Sequence, residues 1–183
     1  LKWAIEGGCD AIYLGGNHFG GRAYSKDFSD EELVEAIKWA HRYGVKVYLT
    51  CNTLIYDEEV EEFLKFVRFA HQNGIDAVLI QDLGMYDLVH QKFPGLEIHA
   101  STQMHIHNLE GALVARKLGF KRIVLARETD IDTIKEIKEK TGLDVEVFVH
   151  GSLCVSYSGQ CLFSSLVGGR SGNRGACAGS CRL

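Results

Sequence analysis

Residues 42–50 read RYGVKVYLT, and this stretch decides the fold. A glycine follows the polar end of a helical segment, and a short, largely apolar run follows the glycine. Helices commonly end at glycine because it adopts the left-handed backbone without steric cost, while a continuous apolar run is typical of a strand buried on both faces. The same succession returns as QNGIDAVLI at 72–80, KLGFKRIVLA at 117–126 and TGLDVEVFV at 141–149.

With two looser copies, this repeat predicts six strands, at residues 11–14, 45–50, 77–80, 96–99, 122–126 and 145–149. The segments between them have the apolar spacing of amphipathic helices. In the helix after the second strand, the apolar face consists of Val60, Phe63, Leu64, Val67 and Ala70. Ser29 and Glu32 predict a capping box where another helix begins near Asp30. Strands alternating with helices indicate an α/β fold with a parallel sheet.

A closed barrel is favoured over an open sheet because no glycine-rich phosphate loop follows the first strand. We predict an α/β fold, a parallel (β/α) TIM-barrel-like domain that is incomplete, with six of about eight strands. Residues 1–151 form the barrel portion, and a cysteine-rich segment, 152–183, continues the same domain. The chain begins at Leu1 rather than Met, so we expect a part of a longer protein. An incomplete barrel has unpaired strand edges, which predicts self-association.

The composition is that of one globular domain, with 183 residues, 46% hydrophobic and 24% charged. A net charge of −4 argues against a protein that coats nucleic acid with its whole surface. From residue 168 onward, however, Arg170, Arg174 and Arg182 occur without any acid, which predicts a local anion-binding surface. No apolar stretch reaches the roughly 20 residues of a membrane span and no signal peptide is visible, so we expect a cytoplasmic location without membrane contact.

Polar residues gather where the predicted strands end, which is where (β/α) barrels carry their active sites. Each could serve simply as a cap or loop residue, but together they mark one rim. The candidate catalytic residues are His99, Gln103, Arg127, Glu128 and His150. The candidate substrate-binding residues are Asn52, Gln81, Asp82, Ser101, Arg170 and Arg174. His105 and His107, in a loop that enters a helix, are weaker candidates.

The six cysteines fall into two groups. Cys9 and Cys51 flank strands and are expected to be small buried hydrophobic residues. The other four have the spacing C-x6-C-x15-C-x3-C and are Cys154, Cys161, Cys177 and Cys181. Four thiolates in a flexible Gly/Ser-rich segment suit tetrahedral zinc or an iron–sulfur cubane. The spacing matches neither the usual zinc pairs nor the common ferredoxin run, so both metals stay open, as do unliganded thiols.

At these cysteines the sequence resembles the peptidase U32 family, also called collagenase-like peptidases. The family pattern E-x-F-x2-G-[SA]-[LIVM]-C-x4-G-x-C is met by Glu146, Phe148, Gly151, Ser152, Leu153, Cys154, Gly159 and Cys161. Further likeness lies in DAIYLGG at 10–16, HASTQ at 99–103 and NRG at 173–175. The stretches 154–161 and 168–175 are most similar to the large ribosomal-RNA cytidine hydroxylase branch.

The resemblance implies two kinds of activity. Some members were described as peptidases. Others are oxygen-independent hydroxylases that hold a [4Fe-4S] cluster on cysteines and modify ribosomal RNA, tRNA or a quinone precursor, with prephenate as the suspected oxygen donor for RNA. For a peptidase the best arrangement here is Cys154 as nucleophile with His150 as base, which leaves three cysteines without a role. A cluster uses all four, so we predict cluster-dependent hydroxylation of an RNA base, with a peptidase and a zinc-stabilised binding module as alternatives.

Overall fold

The computed structural model describes residues 1–16, 19–24 and 28–182. Its centre is a parallel sheet in which the strands follow one another in sequence order. The strands are β1 Ala11–Leu14, β2 Lys46–Cys51, β3 Ala77–Ile80, β4 Glu97–Ala100, β5 Arg122–Val124 and β6 Asp144–Glu146. This unbroken parallel order belongs to a (β/α) barrel, since doubly wound sheets reverse their order at a switch point. The predicted incomplete barrel of six strands is confirmed.

Helices alternate with the strands along the chain. The helices are α1 Lys2–Glu6, α2 Asp30–Arg42, α3 Val60–Gln72, α4 Leu83–Lys92, α5 Leu109–Leu118, α6 Ile131–Thr141 and α7 Phe163–Gly168. Those from α2 to α6 pack their buried residues into the core on the outer face of the sheet. The predicted capping box is present at α2, where Ser29 accepts a hydrogen bond from the Glu32 backbone and Glu32 caps Ser29 in return. In α3 the predicted face is buried at Phe63, Val67 and Ala70, and Phe66 joins it.

The two faces of the sheet bury different sets of side chains. The outer face packs with the helices into the main hydrophobic core, where Val47, Leu49, Val78 and Ile80 are fully buried. A smaller cluster, Tyr48, Ala77, Leu79 and Val124 with Ala11, lies on the inner face. This alternation along each strand is what a barrel interior requires.

The predicted strand ends agree with the observed ones to within one or two residues, except at β6. That strand ends at Glu146, three residues earlier than predicted, and Val147, Phe148 and Val149 are exposed. The neighbouring strand β5 ends at Val124, so the ladder beyond Glu146 lacks a partner there. Cys51 is buried and Cys9 packs partly against the core, as predicted.

Residues 152–182 return to the barrel after β6. They contain α7 and two short 3-10 turns, Gly172–Arg174 and Ser180–Arg182. The Leu54 N–H donates to the Asn173 carbonyl at 3.0 Å, and the Ala23 N–H donates to the Gly175 carbonyl at 2.9 Å. Backbone hydrogen bonds therefore fix this segment to the loops that follow β1 and β2. No helix in the described part of the chain is long and apolar enough to cross a membrane.

We expect this chain to associate with itself through β6, because that strand is paired only with β5 among the described strands. Replacing Val147, exposed just beyond β6, with lysine should weaken the association, since a charge on an edge opposes strand pairing. Val114→Lys, at an exposed position of α5, is the matched control. Sedimentation velocity over a concentration series measures the effect, and a chain that stays monomeric at all concentrations would contradict the expectation.

Candidate active site

Two adjoining cavities lie at the carboxyl ends of the strands. The cysteine cavity has a volume of about 1020 Å³ and is lined by residues of 152–182 together with loops of the barrel. The barrel-mouth cavity has a volume of about 530 Å³ and opens onto the inner face of the sheet. Gly21, Arg22, Thr102 and Gln103 line both cavities and form their shared wall. A molecule in one cavity would thus lie beside a molecule in the other.

The barrel-mouth cavity brings together three of the predicted rim residues, Asn52, Ser101 and Gln103. The side-chain Nδ2 of Asn52 donates to Ser101 Oγ at 3.4 Å, and the Gln103 Nε2 donates to the backbone carbonyl of Asn52 at 3.3 Å. Ser101 Oγ also accepts from the Gln103 N–H at 3.3 Å. The buried Asn52 Oδ1 finds no hydrogen-bond partner among the described residues. The side-chain amide of Asn52 is thus held in place, and its oxygen is an unused acceptor.

His99 was predicted at the rim, at the end of its strand, whereas the structure buries it. It is the third residue of β4, is 1% exposed, and is not among the residues lining either cavity. Its ring lies edge-on to Tyr48 at 4.8 Å, and its Nε2 is 3.4 Å from a Glu97 carboxylate oxygen. Burial and the nearby positive charge of Arg122 lower the pKa of His99, which favours the neutral ring inside the barrel.

A polar network on the inner face was missed in the sequence. The Tyr13 hydroxyl donates to Glu146, while Arg122 lies 3.6 Å from both Glu146 and Asp144. Arg122 also donates to the Tyr48 hydroxyl at 3.3 Å. Burial, together with the Glu146 carboxylate, raises the pKa of Tyr13. The signal that could have revealed this network is polar residues at inner positions of otherwise apolar strands, since successive strand residues face opposite sides.

The cysteine cavity is lined by all four clustered cysteines, as the spacing suggested. Its positive charge comes from Arg22, Arg127, Arg170 and Arg182, and no carboxylate is among the described residues that line it. The aromatic residues of the lining are Tyr24, Tyr157 and Phe163, each at least 47% exposed. A positive cavity with exposed aromatic rings is suited to anions and to stacked planar groups.

Two of the four sulfurs already accept hydrogen bonds. The Ser156 hydroxyl and the backbone N–H groups of Phe163 and Ser164 donate to Cys161 and lower the pKa of its thiol. The Gly179 N–H donates to the Cys177 sulfur at 3.4 Å. Such hydrogen bonds favour the thiolate, which is the form that ligates metals. The donor set therefore fits a thiolate-held metal centre.

The spacing of the ligands bears on the type of centre. Among the described residues, no three Cys, His, Asp or Glu side chains lie together closely enough to hold a single metal ion. Four zinc thiolates must meet at one point, each about 2.3 Å from the metal. A cubane binds its four thiolates at separate iron corners, so they stand farther apart around a larger space. All four thiols line one cavity, and the type of metal centre that they would hold stays a prediction.

Glu128 and Arg127 hold the first cysteine loop on the barrel. Both Glu128 carboxylate oxygens accept from Ser158, one from its N–H at 3.1 Å and one from its hydroxyl at 3.0 Å. The Arg127 side chain donates to the Ser156 carbonyl at 3.2 Å, and its buried Nε has no partner among the described residues. The His105 Nε2 lies 2.9 Å from a Glu128 carboxylate oxygen. Glu128 thus positions residues between Cys154 and Cys161, whereas Arg127 also lines the cavity.

The two C-terminal arginines of the prediction differ in their surroundings. Arg174 donates to both carboxylate oxygens of Glu59, once at 2.7 Å, and to the Leu54 carbonyl. It also lies over the Tyr56 ring at 4.4 Å. Its contacts therefore fix residues 172–175 to the barrel. Arg170 instead lines the cysteine cavity, where it donates to the Ala176 carbonyl at 2.9 Å and lies over the exposed Tyr24 ring.

Three further candidates lie outside both cavities. Asp82 caps α4 by accepting from the Gly84 and Met85 N–H groups, and it accepts from Ile55 as well. Gln81 is partly buried, with its Oε1 unpartnered among the described residues. His150 is exposed, and the hydrogen bonds of the described residues include none between it and Cys154. Their predicted roles in substrate binding and catalysis stay predictions.

The fold and the site define a (β/α)-barrel protein whose cysteine-lined cavity lies at the carboxyl ends of the strands. The chain belongs to peptidase family U32, whose family model matches residues 1–183. The predicted family membership is therefore confirmed.

Two relatives and one solved structure are informative. The chain is 43% identical over 180 residues to a 23S rRNA 5-hydroxycytidine synthase of Escherichia coli (strain K12), covering 98% of this chain and 27% of the relative. It is 34% identical over 182 residues to tRNA hydroxylation protein P1 of Bacillus subtilis (strain 168), covering 100% and 43%. The solved structure of a U32 peptidase matches with a TM-score of 0.62 at 14% identity, over 75% of this chain and 60% of that one. The chain thus spans less than half the length of these two relatives, and the structural likeness shows the fold.

Substitution of Gly159 tests whether the cysteine loop is attached to the barrel through its close contact with the Gln103 backbone. A Cβ on this residue would overlap the Gln103 carbonyl, and its φ of +72° is left-handed. Gly169 has a similar φ of +66° with open space around its Cα, so Gly169→Ala is the matched control. Both substitutions carry the strain of a left-handed alanine, about 1–2 kcal/mol, but only Gly159→Ala adds the overlap, about 1–3 kcal/mol more. We expect Gly159→Ala to unfold at lower urea and to expose residues 152–182 to protease. Equal effects of the two would contradict this attachment.

Proposed function

We propose that this chain carries the catalytic core of a cytoplasmic iron–sulfur enzyme that hydroxylates an RNA base without molecular oxygen. The observation that carries the proposal is one cavity lined by four cysteines and four arginines that shares a wall with the mouth of the barrel. Thiolates supply a redox centre, arginines supply contacts for phosphate, and the barrel mouth supplies a second cavity beside them. The names of both relatives, which concern hydroxylation of rRNA and tRNA, support the same conclusion.

Cys154, Cys161, Cys177 and Cys181 would hold the cluster, a [4Fe-4S] cubane, with zinc as the alternative metal. When bound, the cluster would supply electron transfer to the site. The chain's own groups prepare the site for it. Ser156 and two backbone N–H groups favour the Cys161 thiolate, and the Ser158–Glu128 hydrogen bonds hold the loop that carries Cys154 and Cys161.

RNA would approach over the cysteine cavity. Phosphates meet Arg170 and neighbouring arginines, and exposed Tyr24 and Tyr157 offer faces on which bases stack. A small anionic oxygen donor, with prephenate as the candidate implied by the family resemblance, would be held by Arg127 and Gln103 in the same cavity. His99 was included in this group from sequence; its ring is buried inside β4 and lies edge-on to Tyr48, and its role in holding the donor stays a prediction.

A peptidase is the second candidate, and the family's name favours it. It would use Cys154 as nucleophile and His150 as base, a pair that needs hydrogen-bond contact. His150 is exposed and makes no hydrogen bond to Cys154 among the described residues. A protease centred on Cys154 also gives no role to the other three cysteines of the same cavity. The hydroxylase uses all four, so we favour it.

The metal content separates these candidates. Protein purified without oxygen should be brown and hold about four irons per chain. Cys154→Ser should lower the iron content and bleach the visible absorption, whereas Cys9→Ser should leave both unchanged, because Cys9 lies before β1 and packs against the core. One zinc and no iron per chain would contradict the cluster. Iron retained in Cys154→Ser, together with lost hydrolysis of a peptide, would favour the protease.

Substitution of Arg170 tests whether RNA phosphates contact this surface. Arg170→Ala should weaken the binding of single-stranded RNA of any sequence and reduce the slope of log affinity against log salt by about 0.7 for each lost phosphate contact. Arg116→Ala, at an exposed position of α5, is the matched control. Fluorescence anisotropy over a salt series measures both quantities. Unchanged affinity and slope in Arg170→Ala would remove RNA from this surface.

A further inference from the structure

The two cavities at the carboxyl ends of the strands contain few groups that can accept a proton. Among the described residues, neither cavity is lined by a histidine, and the cysteine cavity has no carboxylate in its lining. Arginines only donate hydrogen bonds, tyrosine phenols keep their proton near neutral pH, and the proposed function uses the cysteines as metal ligands. Among the described lining residues this leaves one carboxylate, that of Glu146 in the barrel-mouth cavity.

Glu146 is held in place by residues of two other strands. The Tyr13 hydroxyl of β1 donates to its Oε2, and the Arg122 guanidinium of β5 lies 3.6 Å from the same oxygen. Arg122 is held in turn by the Tyr48 hydroxyl of β2, to which it donates at 3.3 Å, and by Asp144 at 3.6 Å. A carboxylate fixed from several strands keeps one orientation, as a catalytic group requires.

The second carboxylate oxygen of Glu146 is accessible. The side chain is 28% exposed and lines the cavity. The hydrogen bonds and ion pairs of the described residues all reach Oε2 and include none to Oε1. Unlike Asn52 Oδ1, this oxygen is not among the buried atoms that lack a partner, so it has exposed surface. Glu146 therefore presents one accessible acceptor to a molecule in the barrel mouth.

The titratable groups around Glu146 make it the acceptor of this network. Burial and the Glu146 carboxylate raise the pKa of Tyr13, so the phenol stays protonated and remains a donor. On β4, the His99 ring is favoured in its neutral form and lies against Tyr48. The other charged residue among those described in the lining of this cavity is Arg22, which cannot take up a proton. A proton released in the barrel mouth would therefore go to Glu146.

The barrel mouth has room for a planar ring next to this carboxylate. Phe28 and Phe148 line it beside Tyr13, and its volume of about 530 Å³ lies within the range of small-molecule sites. Enzymes that act on a base hold it, unstacked, against such rings. Because Arg22 and Gln103 line both cavities, a ring in the barrel mouth stands beside an oxygen donor in the cysteine cavity.

Hydroxylation of a ring carbon releases a proton. The carbon gains a hydroxyl group from the small oxygen donor of the proposed function and is oxidised by two electrons. The donor keeps the electron pair of the bond to oxygen that it loses, and is reduced by two electrons. The C–H bond then breaks, its electron pair returns to the ring, and its proton passes to an acceptor. A positioned carboxylate within hydrogen-bond reach of the carbon can serve as that acceptor.

We propose that Glu146 is the catalytic base of this reaction: its Oε1 takes the proton that the ring carbon releases. Tyr13 and Arg122 are positioning residues, because they act through Oε2 of the same carboxylate. This inference rests on the proposed function and adds the proton acceptor. The oxygen donor reaches the ring from the cysteine side of the shared wall, and Glu146 receives the proton on the barrel side.

The experiment uses protein purified without oxygen, RNA from cells that lack its gene, and a deproteinised cell extract as the source of the donor. Mass spectrometry of the nucleosides measures the gain of one oxygen atom over time. Glu146→Gln should lower kcat about 10²–10⁴-fold, the usual contribution of a general base, and leave the RNA affinity measured by fluorescence anisotropy unchanged. Glu110→Gln, the same change at an exposed position of α5 outside both cavities, should keep the rate of the unaltered protein.

The pH dependence separates a catalytic role from a structural one. In the unaltered protein the rate should fall in acid, where Glu146 binds a proton and can no longer accept one. Tyr13→Phe removes a hydrogen-bond donor that favours the carboxylate, so this fall should move to higher pH while RNA affinity stays the same. Glu146→Asp, which keeps a carboxylate, should recover part of the rate that Glu146→Gln loses.

The outcomes distinguish this inference from the proposed function. A Glu146→Gln protein that hydroxylates RNA at the unaltered rate and pH dependence would overturn the catalytic base and leave the proposed function standing. Equal losses of rate and of RNA affinity in Glu146→Gln and Glu146→Asp would make Glu146 a structural residue and overturn the base as well. A pH profile unmoved by Tyr13→Phe would overturn the positioning role of Tyr13. Absence of hydroxylation by the unaltered protein would overturn the proposed function itself.

Discussion

The packing of Gly159 against the backbone of Gln103 is the contact on which the site depends. It brings the cysteine segment so close to the barrel rim that a single Cβ would not fit. Around it, Ser158 is bonded to Glu128 and Arg174 to Glu59. These contacts reach the loops after β5 and β2, so the segment is held at several points. Without this packing the four thiols would belong to a surface loop; with it they line a cavity whose opposite wall is the barrel.

The same packing places the arginines of the cysteine cavity and the paired charges of the barrel interior on opposite sides of Gln103. Arginines from the segment and the rim face the cysteines, while inside the barrel Arg122 is matched by Asp144 and Glu146. A charge in a partly desolvated interior is tolerated when such partners are present. The positive field is consequently concentrated on the cysteine side of Gln103, and the barrel side is nearly neutral. Two ligands of different charge could thus occupy neighbouring cavities.

The sequence predicted the sheet well because the glycine-to-strand repeat is local, and local signals do not depend on distant contacts. The four clustered cysteines are likewise close in sequence, and they line one cavity, while their role as metal ligands stays a prediction. The sequence could not show that the His99 side chain is buried inside the barrel, because a one-residue difference in where β4 ends decides whether this position reaches the rim. It also could not separate rim residues that face a ligand from those that support the site. Glu128 and Asp82 satisfy backbone and hydroxyl donors from other segments, and such pairings across 30 residues are invisible in a periodic pattern.

Unused hydrogen-bonding capacity is what distinguishes the two kinds of rim residue. Glu128 and Arg174 have partners on both ends of their charged groups, so a ligand could bind them only by displacing the protein's own contacts. Asn52 and Arg127 each keep a buried polar atom without a partner among the described residues, and each lines a cavity. An unpaired buried group destabilises the fold, and a ligand could offset that loss only if neighbouring groups moved, because the atom has no exposed surface. His99 has such an atom too, but it lies away from both cavities, and the neutral state of its ring limits the cost. Two rim residues of the same type can therefore differ in role: the structural one has all its polar atoms hydrogen-bonded within the protein, and the candidate ligand-binding one keeps a polar atom without a partner.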